Sequence, residues 1–358
     1  MRDFRLLFAL EGSRLPVQKA LALRGFDEAF AHMQSKLIAL AKVLETQASR
    51  DPSLEKCYER SMDLGLQLTR WIKAENTNLV RWVEIFTQSV QLHATPLSVA
   101  EGFSKQLNAK PMAWIFTSAT LAVKSDFSHY QNQMGLALAQ TGHWTSPFDY
   151  ETQALLYAPQ NMPDPNNSAY PAAVASVALS VIKASRGRAF VLCTSLKAMR
   201  EVFATLKDAF ETAGLAYPLL QQGDSSRTEL LERFRKLGNA VLVGSQSFWE
   251  GVDVRGDALS VVIIDKLPFA PPDDPVLSAR IDKMAEEGKN AFMEYQLPYS
   301  VITLKQGAGR LIRDETDRGV LVICDPRLIS KPYGKRIWQS LPPFKRTKEL
   351  SEVEAFFD

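Results

Sequence analysis

The run Leu259-Ser260-Val261-Val262-Ile263-Ile264-Asp265 is apolar except at Ser260 and closes on a carboxylate. With no polar alternation, it reads as a strand covered on both faces. Similar runs stand at 189–193, 217–221, 240–244 and 319–324. Helical stretches separate them. One spans 169–184, and the next puts Leu196, Met199, Val202, Phe203, Leu206 and Phe210 on one face before stopping at Gly214. Another starts at the capping box Ser226-x-x-Glu229 and stops at Gly238. Doubly covered strands separated by helices predict an α/β fold, a parallel sheet flanked by helices.

Upstream the texture differs. Met33, Leu37, Leu40, Ala41, Leu44, Met62, Leu66 and Trp71 recur at helical spacing, which predicts an N-terminal helical hairpin or small bundle turning at Asp51-Pro52-Ser53. After Asn76-Thr77-Asn78, the β-formers of 80–86 and 89–94, a helix over 96–107 and a strand over 111–116 predict a partial α/β layer. That layer is too small to be a domain alone. Thr145-Ser146-Pro147 and the Pro/Asn-rich 162–167 mark a loop-rich connector.

A chain of 358 residues, 46% hydrophobic and 23% charged, is long enough for two globular domains. Its net charge of +2 excludes a global basic field, so any nucleic-acid surface is a local groove. Cys57, Cys193 and Cys324 are too far apart for a zinc knuckle or a redox pair, and no metal site is expected. Such sparse cysteines fit a reducing compartment. No apolar run approaches a membrane span, and Glu11 interrupts the first one too early for a signal peptide. The expectation is a cytoplasmic protein without a membrane partner.

Three blocks carry chemistry. Gln306-Gly307-Ala308-Gly309-Arg310-Leu311-Ile312-Arg313 predicts two arginines on one helical face behind a glycine that permits close backbone approach. A guanidinium donates paired hydrogen bonds to phosphate oxygens and stays charged at any physiological pH. Supplied across a domain interface, it neutralises charge developing in γ-phosphoryl transfer, worth ~10³–10⁵ in rate in other nucleotidases. The other reading is a surface helix with two solvated arginines. The second block, Ser247-Phe248-Trp249-Glu250-Gly251-Val252-Asp253-Val254, follows the run 240–244, and α/β folds bind ligands at strand C-terminal ends. Its acidic side chains suit ribose hydroxyls or an arginine partner; the alternative is a tight turn around a buried tryptophan. Thr117-Ser118-Ala119-Thr120 ends a run with three hydroxyls, able either to link nucleotide chemistry to a nucleic-acid backbone or to cap the next element.

In this order the blocks resemble motifs III, V and VI of superfamily 2 helicases. Asp265-Lys266-Leu267-Pro268-Phe269-Ala270-Pro271-Pro272-Asp273-Asp274-Pro275 is similar to the DinG/XPD-like group of repair helicases. The resemblance covers residues 79 to 328. It implies a RecA-like second motor lobe, with ATP hydrolysis coupled to 5′-to-3′ movement on single-stranded DNA. By position, it makes Arg310 and Arg313 the catalytic arginines at the γ-phosphate, with Gln306 beside them. It puts Glu250, Gly251, Asp253 and Gly309 on the nucleotide side, and gives Thr117, Ser118 and Thr120 the coupling of the two lobes. Thr194 and Ser195 match motif IV, which touches the DNA backbone, and Gln222 and Arg227 extend the same track.

The departures bear on what the chain can do. No G-x-x-x-x-G-K-[ST] occurs. Asp27-Glu28-Ala29-Phe30-Ala31-His32 has two residues too many between Ala29 and His32 for a DEAH box, and no apolar strand precedes it. The four cysteines that hold an iron–sulfur cluster in many relatives are absent, because in the family they lie before motif III. The expectation is that ATP and Mg²⁺ are held mainly by an N-terminal helicase lobe missing here. A cluster in a full-length protein would have no ligand in this chain. Truncation then explains the organisation: 1–78 the tail of an Arch-type insertion, 79–125 the last strands of the first motor lobe, 126–345 the second lobe, and 346–358 an amphipathic acidic tail. A competing reading is a helicase-derived nucleic-acid-binding or adaptor protein without ATPase activity. Phe344-Lys345-Arg346 either stacks on bases or tethers the tail. The tail itself either packs on the lobe or, as in some close relatives, binds a replication clamp-loader accessory subunit.

Overall fold

The computed structural model describes residues 2–8, 12–73, 78–109, 112–245, 248 and 258–358. Contacts divide the chain into two compact units, one of Met1–Pro111, Gln133–Gly135 and Ala270–Ala291 and one of Met112–Asn132, Leu136–Phe269 and Phe292–Asp358.

In the first unit, helices Phe26–Gln47 and Pro52–Lys73 form the expected hairpin. Asp51 makes the turn, its Oδ1 accepting the Ser53 amide at 2.7 Å. Phe4, Phe8, Phe26, Phe30 and Trp71 form its aromatic core, with Phe30 stacked on both Phe26 and Trp71. Asp27 and Glu28 are exposed in the first helical turn, where carboxylates favour the positive end of the helix dipole. Strands β1 (Arg14–Pro16), β2 (Leu79–Ile85) and β3 (Val90–Pro96) make an antiparallel sheet in the order β1-β2-β3. Residues 79–96 are thus a hairpin, closed by the Phe86 amide donating to the Ser89 carbonyl at 2.9 Å.

The run 112–116, expected as a strand, pairs with no described strand. Ile115 is 84% exposed. An apolar run becomes a strand only where neighbouring chain takes up its backbone N–H and C=O groups.

The second unit holds β4 (Ala154–Tyr157), β5 (Ala189–Leu192), β6 (Leu219–Gln221), β7 (Val241–Gly244), β8 (Val261–Ile264), β9 (Gly319–Ile323) and β10 (Lys345–Thr347). Their order is β10-β4-β9-β8-β5-β7-β6, and every pairing is parallel. Alternate residues supply two cores, as the strand period of two requires. Phe190, Leu242, Val262, Ile264 and Leu321 pack with Phe234, Leu297, Val301 and Leu304 on one face. Val191, Val243, Val261, Ile263 and Val322 pack with Val174, Ala178, Val202, Leu206 and Phe210 on the other. The forecast caps are present: Ser226 Oγ accepts the Glu229 amide, and Gly214 and Gly238 end their helices in the left-handed region.

Strands β4 and β10 were not read from the sequence: β4 lies between the breaker-rich stretches 145–147 and 162–167, and β10 is three residues, two of them exposed and basic. Phe344 is in the core against Tyr150, so it tethers and is not free to stack on a base. Helix Leu350–Phe357 buries Val353 in the second of these cores. No described helix is long and apolar enough to cross a membrane.

Candidate nucleotide and nucleic-acid site

Helix Leu297–Ala308 carries Gln306 in its last turn and ends one residue before Gly309. Arg310 and Arg313 therefore do not share a helical face, contrary to the sequence reading. The backbone leaves the helix through short turns, Arg310 N–H to Gly307 O and Leu311 N–H to Ala308 O. Leu311 and Ile312 then turn into the core between the two arginines, which are half-buried. Burying that pair is worth ~3–6 kcal/mol, enough to override one further turn of helix.

The loop beyond is tied twice. The Asp317 carboxylate accepts the Arg313 and Asp314 amides at 2.8 and 2.9 Å. The Gln153 side-chain amide donates to the carbonyls of Asp314, Glu315 and Asp317 at 3.1, 2.9 and 3.0 Å. Gln153 directly precedes β4, which pairs with β9 just after the loop, so the sheet register delivers it there. Sequence reading missed Gln153, since nothing in its neighbourhood signals a role.

Thr117 and Ser118 are exposed and Thr120 is half-buried. The Ser118 and Thr120 hydroxyls meet at 3.2 Å, and Ser118 Oγ accepts the Thr120 amide at 3.1 Å. Lys305, next to Gln306, donates to the Ala122 carbonyl at 3.0 Å and so holds this loop to the helix that precedes the two arginines. Burial pushes the Lys305 ammonium below its usual range. Glu250, Gly251 and Asp253 lie outside the described residues.

Two of the remaining predicted residues, Thr194 and Gln222, lie in one row of strand ends. Because β8, β5, β7 and β6 are consecutive in the sheet, Asp265, Thr194, Ser245 and Gln222 follow one another along its C-terminal edge. At the usual strand spacing the row is about 14 Å long. Thr194 donates its amide to Asp265 Oδ1 at 2.9 Å and its hydroxyl to Oδ2 at 3.3 Å. Ser195 is the N-cap of helix Leu196–Ala213, its Oγ accepting the Ala198 amide at 3.1 Å. Gln222 Oε1 accepts the Ser245 amide and hydroxyl at 2.7 and 2.9 Å. Arg227 is exposed, its guanidinium 5.6 Å from the Phe248 ring centre.

Two buried carboxylates follow neighbouring strands at this edge, Asp265 after β8 and Asp325 after β9. Asp265 is wholly buried, which pushes its carboxyl up to about 7 against the opposing pull of the Lys266 and Thr194 amides. Asp325, after β9, accepts the Leu267 amide at 2.8 Å and pairs with the Arg327 guanidinium at 2.6 Å. Sequence reading used Asp265 only as a family marker. A carboxylate ending a fully apolar run was the signal that it would be buried.

Among the described residues no group of three or more His, Cys, Asp or Glu side chains could hold a metal ion. Cys57 is exposed while Cys193 and Cys324 are buried.

A seven-stranded parallel sheet flanked by helices on both faces defines a RecA-like lobe. Residues 178–344 match the family described as Helicase C-terminal domain. The chain is 42% identical to the ATP-dependent DNA helicase YoaA of Escherichia coli, over 99% of the chain and 55% of YoaA. It is 37% identical to the ATP-dependent helicase DinG of Mycobacterium tuberculosis, over 74% of the chain and 40% of DinG. An apo XPD structure superposes with a TM-score of 0.62 at 16% identity, covering 96% of the chain and 66% of that structure. The chain belongs to the DinG/XPD-like group of superfamily 2 helicases and corresponds to their C-terminal part. It spans about half the length of the YoaA relatives it matches.

Proposed function

We propose that this chain is the arginine-bearing half of an ATP-driven DNA motor. The observation that carries the reading is the doubly tied loop after Ala308, which holds Arg310 and Arg313 in a chain 42% identical to a DNA helicase. ATP, when bound, supplies the phosphoryl group whose transfer to water drives movement. This chain's part is to bring Arg310 and Arg313 to the γ-phosphate with Gln306 beside them. Gly309 and the segment bearing Glu250, Gly251 and Asp253 line the nucleotide side, while Thr117, Ser118 and Thr120 couple the lobes. An N-terminal lobe supplies the phosphate loop and Mg²⁺, and any iron–sulfur cluster belongs to that part.

Thr194, Ser195, Gln222 and Arg227 form the single-stranded DNA track, along which the motor moves 5′-to-3′ in the cytoplasm. With Val353 engaged in the core, the exposed Glu352, Glu354 and Asp358 are what the tail offers a clamp-loader accessory subunit.

The isolated chain is expected to turn over ATP at background rate, with or without single-stranded DNA; robust turnover overturns the half-site reading. With an N-terminal lobe restored, Arg313→Ala abolishes hydrolysis and leaves ATP binding intact. Unchanged hydrolysis there removes the role of Arg313.

A further inference from the structure

Asp265 stands beside Thr194 at the end of the neighbouring strand, and its two oxygens are not equivalent. Oδ1 accepts two backbone amides, Thr194 at 2.9 Å and Lys266 at 2.6 Å, which occupy both of its lone pairs. Oδ2 faces the Thr194 hydroxyl at 3.3 Å. A proton arriving on this carboxylate therefore goes to Oδ2, beside the hydroxyl of a residue on the strand-end row.

A hydroxyl has one proton to give. While Asp265 is charged, Thr194 spends that proton on Oδ2 and shows only lone pairs outward. A phosphate oxygen is an acceptor and gains nothing from lone pairs. We propose that Asp265 sets the polarity of the Thr194 hydroxyl: with Oδ2 protonated, the carboxylic acid donates to Thr194 Oγ1 and frees the threonine O–H to donate to a nucleic-acid phosphate. The proton comes from solvent, and no covalent bond forms or breaks. The inference rests on the reading of this row as a DNA track. It makes Asp265 a positioning residue, acting through Thr194.

The surroundings put this exchange near neutrality. Complete burial holds the Asp265 carboxyl at about 7. The groups facing it are Lys266 on its own strand end, Tyr170, whose hydroxyl donates to the Asp265 carbonyl at 2.6 Å, Cys193 after β5, Cys324 and Asp325 after β9, and Arg327 beyond them. Burial pushes both thiols and the Tyr170 phenol upward, away from this range. Arg327 is ion-paired with Asp325. Burial thus places the change of charge of Asp265 in the neutral range. By linkage, DNA binding that consumes the freed O–H takes up a proton, and affinity falls as Asp265 ionises.

The test is the affinity of the full chain for a dye-labelled oligothymidylate from about pH 6 to about pH 8.5, at constant ionic strength because phosphate contacts are salt-dependent. Affinity of the unaltered chain is expected to fall on the order of tenfold across that range. Asp265→Asn keeps an oxygen for the two amides and places an NH₂ donor against Thr194 Oγ1, so its affinity stays at the acid-limb value throughout. Thr194→Val, lacking the hydroxyl, binds at the alkaline-limb value throughout, and Thr194→Ser restores the slope. The histidines are common to all four proteins and cancel in the comparison. A pH slope in Asp265→Asn or Thr194→Val equal to the unaltered chain's overturns the inference, as does a flat curve for the unaltered chain. Should Asp265→Asn fail to fold by circular dichroism, the Thr194 pair decides alone. No measurable binding by the unaltered chain at any pH overturns the track reading instead.

Discussion

Gln153 and Asp317 hold one loop from opposite sides: the Gln153 side-chain amide donates to the Asp317 carbonyl at 3.0 Å, while the Asp317 carboxylate accepts the Arg313 and Asp314 amides. Both side chains are buried. Gln153→Ala leaves the buried Asp317 carbonyl without its donor, a loss of about 1–3 kcal/mol for an unsatisfied buried acceptor. The expected outcome is a lower Tm with faster hydrogen exchange localised to 313–317. Unchanged exchange there would mean that Asp317 alone fixes the loop.

Gly319 and Gly309 bracket the same loop and separate two reasons for a glycine. A Cβ on Gly319 would lie 2.4 Å from Leu311 Cδ1 and 2.7 Å from the Ser260 carbonyl, inside the sheet between β8 and β4. A Cβ on Gly309 meets the Lys305 carbonyl at 3.1 Å, at an exposed position with an ordinary φ of −68°. Gly319→Ala is expected to cost about 1–3 kcal/mol by overpacking, and Gly309→Ala less than ~1 kcal/mol. Thermal melts of the two variants check this, and equal losses would contradict the packing argument.

The helix Leu196–Ala213 begins at Ser195, whose hydroxyl is both its cap and a proposed track contact. Ser195→Ala should cost about 1 kcal/mol of stability by losing the cap. Ser195→Asp keeps a capping acceptor and adds a favourable charge at the helix N-terminus, so stability is retained. It also sets a negative charge against phosphate, so oligothymidylate affinity drops severalfold. Undiminished affinity in Ser195→Asp would take Ser195 off the track while leaving its cap intact.

The parallel sheet was legible because its central strands are apolar throughout, a pattern that solvated chain cannot carry. The caps at Ser226, Gly214 and Gly238 were legible for a local reason, since a hydroxyl or a left-handed glycine acts on its own turn. What failed depended on distant chain. Residues 112–116 have a strand's composition but no described strand beside them, and Arg310 and Arg313 have helical spacing but are turned apart by the burial of Leu311 and Ile312. Gln153 is 164 residues from the Asp317 carbonyl it binds, and no local pattern encodes such a contact.

The raised carboxyl of Asp265 also makes stability depend on pH with a definite sign. In the unfolded chain this group ionises near its ordinary value of 3.8, whereas in the fold it keeps its proton until about 7. Its contribution is therefore fully present below the unfolded value and is lost as pH rises through the folded one. Asp265→Asn cannot ionise and lacks this dependence. Relative to that variant, the unaltered chain should lose on the order of 4 kcal/mol between about pH 4 and about pH 7, with parallel curves above. Urea unfolding of both proteins at a series of pH values measures the difference directly. A difference constant across the window would mean that Asp265 is already charged in the fold at low pH, with its amide donors outweighing burial.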